Sequence, residues 1–199
     1  MFESRWYVRV GNLGFNLIAL NLLWLLFSGL GLFVIGIFPA TAALFSSIRQ
    51  IIMQADDIPV FKFFFGKFKK EFIQSNLIGY LFLIVGVVLY IDVKFINRLE
   101  ENVLHTFLMG IIILVVFLFF ITLLYIFPIF VHLNLKFWQY PKYALVMAIG
   151  RPFSTVMMTI VIVITIYLFM LFIILIPILG MSVTSYFLMR IALNSLPKR

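Results

Sequence analysis

The chain has 199 residues, a formal net charge of +8 and no cysteine. Hydrophobic residues make up 65% of it and its mean hydropathy is +1.21, whereas a soluble globular domain is roughly half apolar. This composition excludes a soluble globular domain. The missing cysteines exclude disulfides, thiolate metal sites and thiol catalysis.

Long stretches of the chain lack Asp, Glu, Lys and Arg. A charge-free apolar run of about 18 residues or more is long enough to cross the hydrocarbon core of a bilayer as a helix. We therefore predict an all-α polytopic membrane protein in which residues 1–199 form one integral membrane domain. The charge-free stretches are 13–35, 76–91, 107–131 and 155–179.

The first apolar run is too long for one ordinary span. A first helix over 13–34 is followed by several glycines and by Pro39. Because glycine permits unusual backbone angles and proline lacks an amide donor, we expect a break between Gly29 and Pro39. A short second helix then covers 39–53.

A basic, aromatic segment occupies 56–74. On a helix, its phenylalanines at 61, 64, 65, 68 and 72 share one stripe, and its lysines cover most of the remainder. Such a helix is typical of the membrane interface, where it contacts anionic lipid. The alternative is a docking surface for a cytoplasmic partner. The candidate contacts are Lys62, Lys67, Lys69 and Lys70.

Three further long helices complete the prediction. The third covers 74–91, the fourth 106–134 and the fifth 155–176. A second basic connection, 136–152, lies between the last two and offers Lys136, Lys142 and Arg151 as further lipid or partner contacts. Pro177 and Gly180 predict a break before a short final helix at 181–193. The pattern is therefore four long transmembrane helices, two short helices after Gly/Pro breaks, and amphipathic cytoplasmic helices.

The basic residues predict the orientation. If both termini and the segments 49–74 and 134–152 are cytoplasmic, 13 of the 15 Lys and Arg residues lie inside, and only Lys94 and Arg98 lie outside. This is the positive-inside pattern, so the charge indicates a bilayer with anionic lipids and not nucleic acid. Four crossings and six crossings give the same sidedness, and charge alone leaves both open.

The side chains do not suggest an enzyme. We predict no catalytic, cofactor-binding or metal-binding residue, because the carboxylates lie outside the spans and His105 and His132 fall at opposite membrane faces. The candidate polar contacts inside the membrane are Asn16, Asn21 and Thr41. Hydrogen bonding between helices is the ordinary use of such residues; lining a polar path is the alternative.

Three blocks of the sequence resemble the YesL-like family of bacterial integral membrane proteins. The likeness covers nearly the whole chain and keeps the blocks in order. The blocks are NLLWLLFSGLGLFVIGIFPATAALF, FKFFFGKFKKEFIQSNLIG and YIFPIFVHLNLKFWQYPKYALVMAIGRPFSTV.

The resemblance implies a small multi-pass protein in the cell membrane of a Gram-positive bacterium, of unknown biochemical function. Such proteins are often encoded beside carbohydrate-uptake ABC importers. We therefore expect a non-enzymatic accessory protein that needs no cofactor and contacts importer permease subunits. The alternative is a small stand-alone transporter or channel, working as a homo-oligomer.

Overall fold

The computed structural model describes residues 6–54, 59–100 and 102–196. Every regular element in these ranges is a helix, and five of the helices are long and apolar enough to span a bilayer. The chain is thus an all-α, multi-pass membrane protein, as the composition predicts. The helices are α1 (Trp6–Leu30), α2 (Ile37–Gln54), α3 (Val60–Ile96), α4 (Val103–His132), α5 (Gln139–Gly150), α6 (Pro152–Leu171) and α7 (Leu175–Ser195).

The expected break between Gly29 and Pro39 is present as a tight turn between α1 and α2. Leu32 and Phe33 adopt left-handed backbone angles, with φ of 52° and 59°. A Cβ atom at Gly36 would collide with the carbonyl oxygen of Phe27, so only glycine fits there. Pro39 lies in the first turn of α2, where its missing amide hydrogen needs no partner.

α2 is the central helix of the molecule. Every residue from Pro39 to Ile48 is buried, and α2 contacts α1, α3, α4 and α7. Small side chains allow these neighbours to approach closely, which is how membrane helices gain packing energy without a hydrophobic driving force. The small residues are Ala40, Ala42, Ala43, Ser46 and Ser47.

α3 runs straight through the boundary expected near residue 74. The basic segment and the third apolar stretch are one helix, and no separate interfacial helix exists within the described residues. The reason is local: α3 contains no proline, and the hydroxyl of Ser75 donates to the carbonyl of Glu71 at 2.7 Å across the expected boundary.

Contacts of α3 with α2 and with the α1–α2 turn fix the register of α3. At one level, Ser46 of α2 meets Glu71 of α3. Further along, the hydroxyl of Tyr80 donates to the carbonyl of Val34 at 2.8 Å, which places the α1–α2 turn beside the middle of α3. Beyond this turn α3 continues for about 24 Å to Ile96. We call this part, 81–96, together with 103–118 of α4, the distal hairpin.

The last break lies earlier than expected. α6 ends at Leu171, and α7 begins at Leu175 and continues through Pro177 and Gly180. Pro177 is tolerated because it stands in the first turn of α7. The final helix therefore has 21 residues instead of the short segment expected over 181–193. Of the two short helices expected from the sequence, only α2 is short in the structure, with an apolar part at Ile37–Met53.

Candidate functional site

Asn21 joins α1 to the start of α7. Its side-chain amide donates to the carbonyls of Ile176 and Pro177, at 3.3 and 2.7 Å. Its oxygen accepts from the amides of Met181 and Ser182, at 2.9 and 3.2 Å. One buried side chain thereby pairs four backbone groups of α7 near Pro177. Asn21 is placed as a link between helices.

Thr41 and Asn16 have different surroundings. The indole nitrogen of Trp24 donates to the Thr41 hydroxyl at 3.0 Å, and that hydroxyl donates to the carbonyl of Ile37 at 2.7 Å. Asn16 is half-buried on α1, and its side chain makes no hydrogen bond within the part of the chain that the structure describes. The structure does not bring the three residues together along a polar path.

A partly open groove of about 850 Å³ lies among α1, α2, α4, α6 and α7. Its wall is almost entirely apolar. Its polar lining consists of Ser185, the indole of Trp24 and three threonines, whose hydroxyls each donate to the carbonyl four residues earlier. The groove therefore offers little to a polar solute and suits an apolar chain or helix. The threonines are Thr41, Thr165 and Thr184.

A polar junction lies where α2 and α4 end. The Nε of Arg49 donates to the Nδ1 of His132 at 3.1 Å, and His132 is 3% exposed. On the same helix as Arg49, Ser46 donates to Glu71 at 3.4 Å, and Lys67 pairs with the other Glu71 oxygen at 3.1 Å. We refer to this side of the molecule as the Arg49 end.

The sequence reasoning missed the Arg49–His132 contact. The two residues are 83 positions apart, and each alone looks like the polar end of an apolar helix. The predicted topology contained a signal for this contact. If the helices α2 and α4 both run toward the same membrane face, their last turns lie at the same depth in the membrane. The stacked rings of Phe45 and Phe127 show that register.

The predicted basic contacts fall on two separate elements. On α3, Lys62, Lys69 and Lys70 are exposed, whereas Lys67 forms the ion pair with Glu71. The ammonium group of Lys69 lies 4.4 Å from the centre of the Phe65 ring. The other three cations are exposed in or beside α5: Lys136, Lys142 and Arg151.

The described residues include no group of three or more His, Cys, Asp or Glu side chains that could hold a metal ion. His105 lies in the first turn of α4, and His132 lies in the last. The two histidines are therefore separated by the length of α4, about 40 Å. They belong to opposite ends of the molecule.

Comparison with known proteins places the chain in a family. Residues 17–93 match the model described as "Protein of unknown function, DUF624". The chain is 40% identical over 174 residues to the uncharacterized protein YteU of Bacillus subtilis, covering 86% of this chain and 76% of YteU. It is 34% identical over 143 residues to the uncharacterized protein YesL of the same organism, covering 72% of this chain and 66% of YesL.

A third relative, the uncharacterized protein YesV of Bacillus subtilis, is 35% identical over 136 residues, covering 68% of this chain and 65% of YesV. No solved structure matches the chain. The similarity to YteU extends over most of both proteins, and the family model covers α2 and most of α1 and α3. The chain belongs to the YesL-like family of membrane proteins, the DUF624 family of unknown function.

Proposed function

We propose that the protein is a non-enzymatic accessory subunit that binds the permease of a carbohydrate ABC importer. The importer is the partner that the family resemblance implies. The protein would reside in the bacterial cell membrane with both termini and the Arg49 end in the cytoplasm. Its working surfaces would be the exposed basic parts of α3 and α5, together with the apolar groove between the helices.

The observation that carries the proposal is that Asn21 and Thr41, the two buried residues among those expected to line a polar path, already have partners within the helical assembly. Asn21 makes four hydrogen bonds to the α7 backbone, and Thr41 bonds to Trp24 and Ile37. A polar solute crossing the assembly would have to break these contacts or lose its own hydrogen bonds. This arrangement supports an accessory protein more than a transporter or channel.

The outer surface supports the same proposal. The groove is apolar and partly open, so a transmembrane helix of another protein could pack into it. The exposed lysines of α3 lie at the Arg49 end, where the rest of an importer would stand if that end is cytoplasmic. Both features suit binding to a larger membrane complex.

The proposal is tested by isolating the tagged protein from native membranes in mild detergent and identifying what co-purifies. We expect importer permease subunits in a fixed ratio to this chain. Recovery of the chain alone would contradict the accessory role.

The competing hypothesis, a stand-alone oligomeric transporter, is tested in proteoliposomes that contain only this protein. The accessory proposal predicts no sugar or ion flux above that of empty liposomes. Saturable sugar or ion flux above that of empty liposomes would replace the accessory proposal with a transport function.

The orientation is tested separately with single-cysteine variants, since the chain has no native cysteine. A cysteine at Lys142 should react with a membrane-impermeant maleimide only after spheroplasts are opened. A cysteine at Arg98 should react in intact spheroplasts. The reverse pattern would place the Arg49 end outside.

A further inference from the structure

We propose that one face of the first part of α3 stands in the aqueous phase and binds an acidic amphipathic helix of a protein. This inference rests on the proposed accessory function and names the chemistry of the partner at that site. The surface, which we call the α3 docking face, is formed by Lys62, Gly66, Lys69, Lys70 and Ile73.

The length of α3 places this face outside the hydrocarbon core. The charge-free stretch 72–91 of α3 is about 30 Å long as a helix, which matches the thickness of the core. The preceding part, Val60–Glu71, adds about 18 Å in the same helix. If 72–91 spans the bilayer, the first turns of α3 extend beyond it, while the rings of Phe64, Phe65 and Phe68 stay packed against Phe27 of α1.

Packing holds this part of α3 upright. Phe64 is fully buried in the core that also contains Ala43, Leu44 and Ile48 of α2. Ser46 of α2 bonds to Glu71 at the level where α3 leaves the apolar region. The segment therefore cannot lie down on the membrane surface unless the α2–α3 contact separates. An interfacial helix, in contrast, must lie in the membrane plane with its apolar face buried roughly 5–10 Å deep.

The docking face combines apolar surface with unpaired cations. Ile73 is 74% exposed. Gly66, on the same face, leaves open space where a side chain would stand. Lys62, Lys69 and Lys70 form no ion pair among the residues that the structure describes, because the nearby Glu71 carboxylate is bonded to Lys67 and Ser46.

These properties specify the partner. An apolar ridge that contacts Ile73 and the open surface at Gly66 must be flanked by carboxylates that reach the three lysines. A helix with apolar residues at three- and four-residue spacing and acidic residues beside them meets both conditions. Charge complementarity of this kind mainly sets specificity and association rate, so binding should weaken with salt.

The first experiment measures where the face lies. Spin labels are attached to Lys62→Cys and, as the matched control, to Leu77→Cys, which is exposed in the apolar part of α3. The full-length protein is placed in phosphatidylcholine liposomes, with and without phosphatidylglycerol. We expect the label at 62 to collide with a water-soluble relaxation agent and the label at 77 with oxygen in lipid. A lipid-buried label at 62, or one that becomes buried when phosphatidylglycerol is added, would overturn the proposal in favour of a lipid contact.

The second experiment measures binding of a defined probe. The probe is a synthetic amphipathic helix of Glu and Leu, compared with its Gln-for-Glu counterpart, added to the full-length protein in phosphatidylcholine nanodiscs. Replacing Lys62, Lys69 and Lys70 together by Glu should weaken binding of the acidic peptide by tenfold or more, since three exposed charge pairs are turned from attractive to repulsive. Lys94→Glu with Arg98→Glu, at the opposite end, should leave it unchanged.

The outcomes separate this inference from the proposed function. Equal binding of the acidic and neutral peptides, or of the wild type and the triple variant, overturns the docking face even if an importer co-purifies. Conversely, if the label at 62 is aqueous and only the acidic peptide binds, the docking face stands even if the partner proves not to be an importer.

Discussion

The two ends of the α3–α4 pair are built on different principles. At the Arg49 end, both helices pack against α2, and Phe64, Ile78, Tyr125 and Ile129 are nearly inaccessible. In the distal hairpin, the same two helices chiefly contact each other. Large apolar side chains point outward there, among them Leu83, Ile84, Val88, Phe107 and Leu114.

This difference separates two sources of stability in a membrane protein. Exposed leucine and valine carry no penalty when lipid surrounds them, so the distal hairpin needs few specific contacts. The Arg49 end must instead hold a short central helix in place, and it does so with close packing and with polar links between helices. Substitutions should therefore be costly in the packed end and tolerated in the distal hairpin.

The largest effect is expected from glycine substitution in the packed end. A Cβ atom at Gly79 would overlap the ring of Phe38, whereas at Gly110 of the distal hairpin it would meet nothing within 4 Å. Gly79→Val should destabilise the protein by about 3 kcal/mol or more through overpacking, and Gly110→Val by far less. Thermal unfolding in detergent, followed by size-exclusion chromatography, measures both. Equal losses of stability in the Gly79→Val and Gly110→Val variants would contradict the proposed difference between the packed end and the distal hairpin.

The next effect concerns the link between α1 and α7. Asn21→Leu leaves four backbone groups near Pro177 without their side-chain partner and should cost about 2–3 kcal/mol. Asn16→Leu is the matched control, since Asn16 is half-buried and makes no side-chain hydrogen bond in the described structure; we expect less than about 0.5 kcal/mol. Steric trapping in bicelles provides the free energies. If Asn16→Leu lowers the free energy of unfolding as much as Asn21→Leu does, the hydrogen bonds of Asn21 to α7 do not account for its contribution to stability.

A smaller effect is expected at the polar junction. His132→Leu removes the acceptor of the Arg49 Nε and should cost about 1–2 kcal/mol. His132→Asn keeps an oxygen near the Nδ1 position and should recover part of that loss. The comparison of the two melting temperatures tests the contact independently of side-chain volume. If Asn destabilises as much as Leu, the Arg49–His132 hydrogen bond does not contribute.

The hydrogen bond between Trp24 and Thr41 should contribute less again. A double-mutant cycle with Trp24→Phe and Thr41→Val is expected to give a coupling of about 0.6–1 kcal/mol, the usual range for polar contacts between membrane helices. Thr159→Val provides a background value, since the exposed Thr159 bonds only to the carbonyl of Thr155 in its own helix. Strict additivity of the two single substitutions would indicate no net coupling.

The smallest effect on stability is expected at the α3 docking face. Charge reversal at Lys62, Lys69 and Lys70 should leave the melting temperature of the isolated protein within about 2 °C, because these lysines are exposed and the contact of Lys69 with the Phe65 ring is a surface cation–π contact of about 0.5 kcal/mol. Only partner binding should change. A large loss of stability would mean that the face belongs to the protein's own packing.

Much of the fold follows from simple sequence signals. The charge-free stretches predict the long helices, and the glycines before Pro39 predict the α1–α2 turn. The break at 172–174 carries no such signal, since Phe172, Ile173 and Ile174 resemble any membrane helix. Pro177 was a misleading marker because proline is also accommodated in the first turn of a helix.

The candidate site was less accessible to sequence reasoning. The charges of 62–71 resemble a separate interfacial helix unless the burial of Phe64 against α2 is known. Arg49 and His132 meet only because α2 and α4 end at the same level. Asn21 and Thr41 are recognisable as membrane polar residues, but their partners lie on other helices. In each case the missing information is the register between helices, which local patterns do not contain.

The most direct test of the accessory role combines co-purification with the docking-face variant. The tagged wild type, the Lys62/Lys69/Lys70→Glu variant and the Lys94/Arg98→Glu control are isolated from native membranes at equal expression. We predict that importer permease subunits accompany the wild type and the control in the same ratio and are largely lost from the docking-face variant. Recovery of all three proteins as the chain alone, in one defined oligomer, would contradict the account.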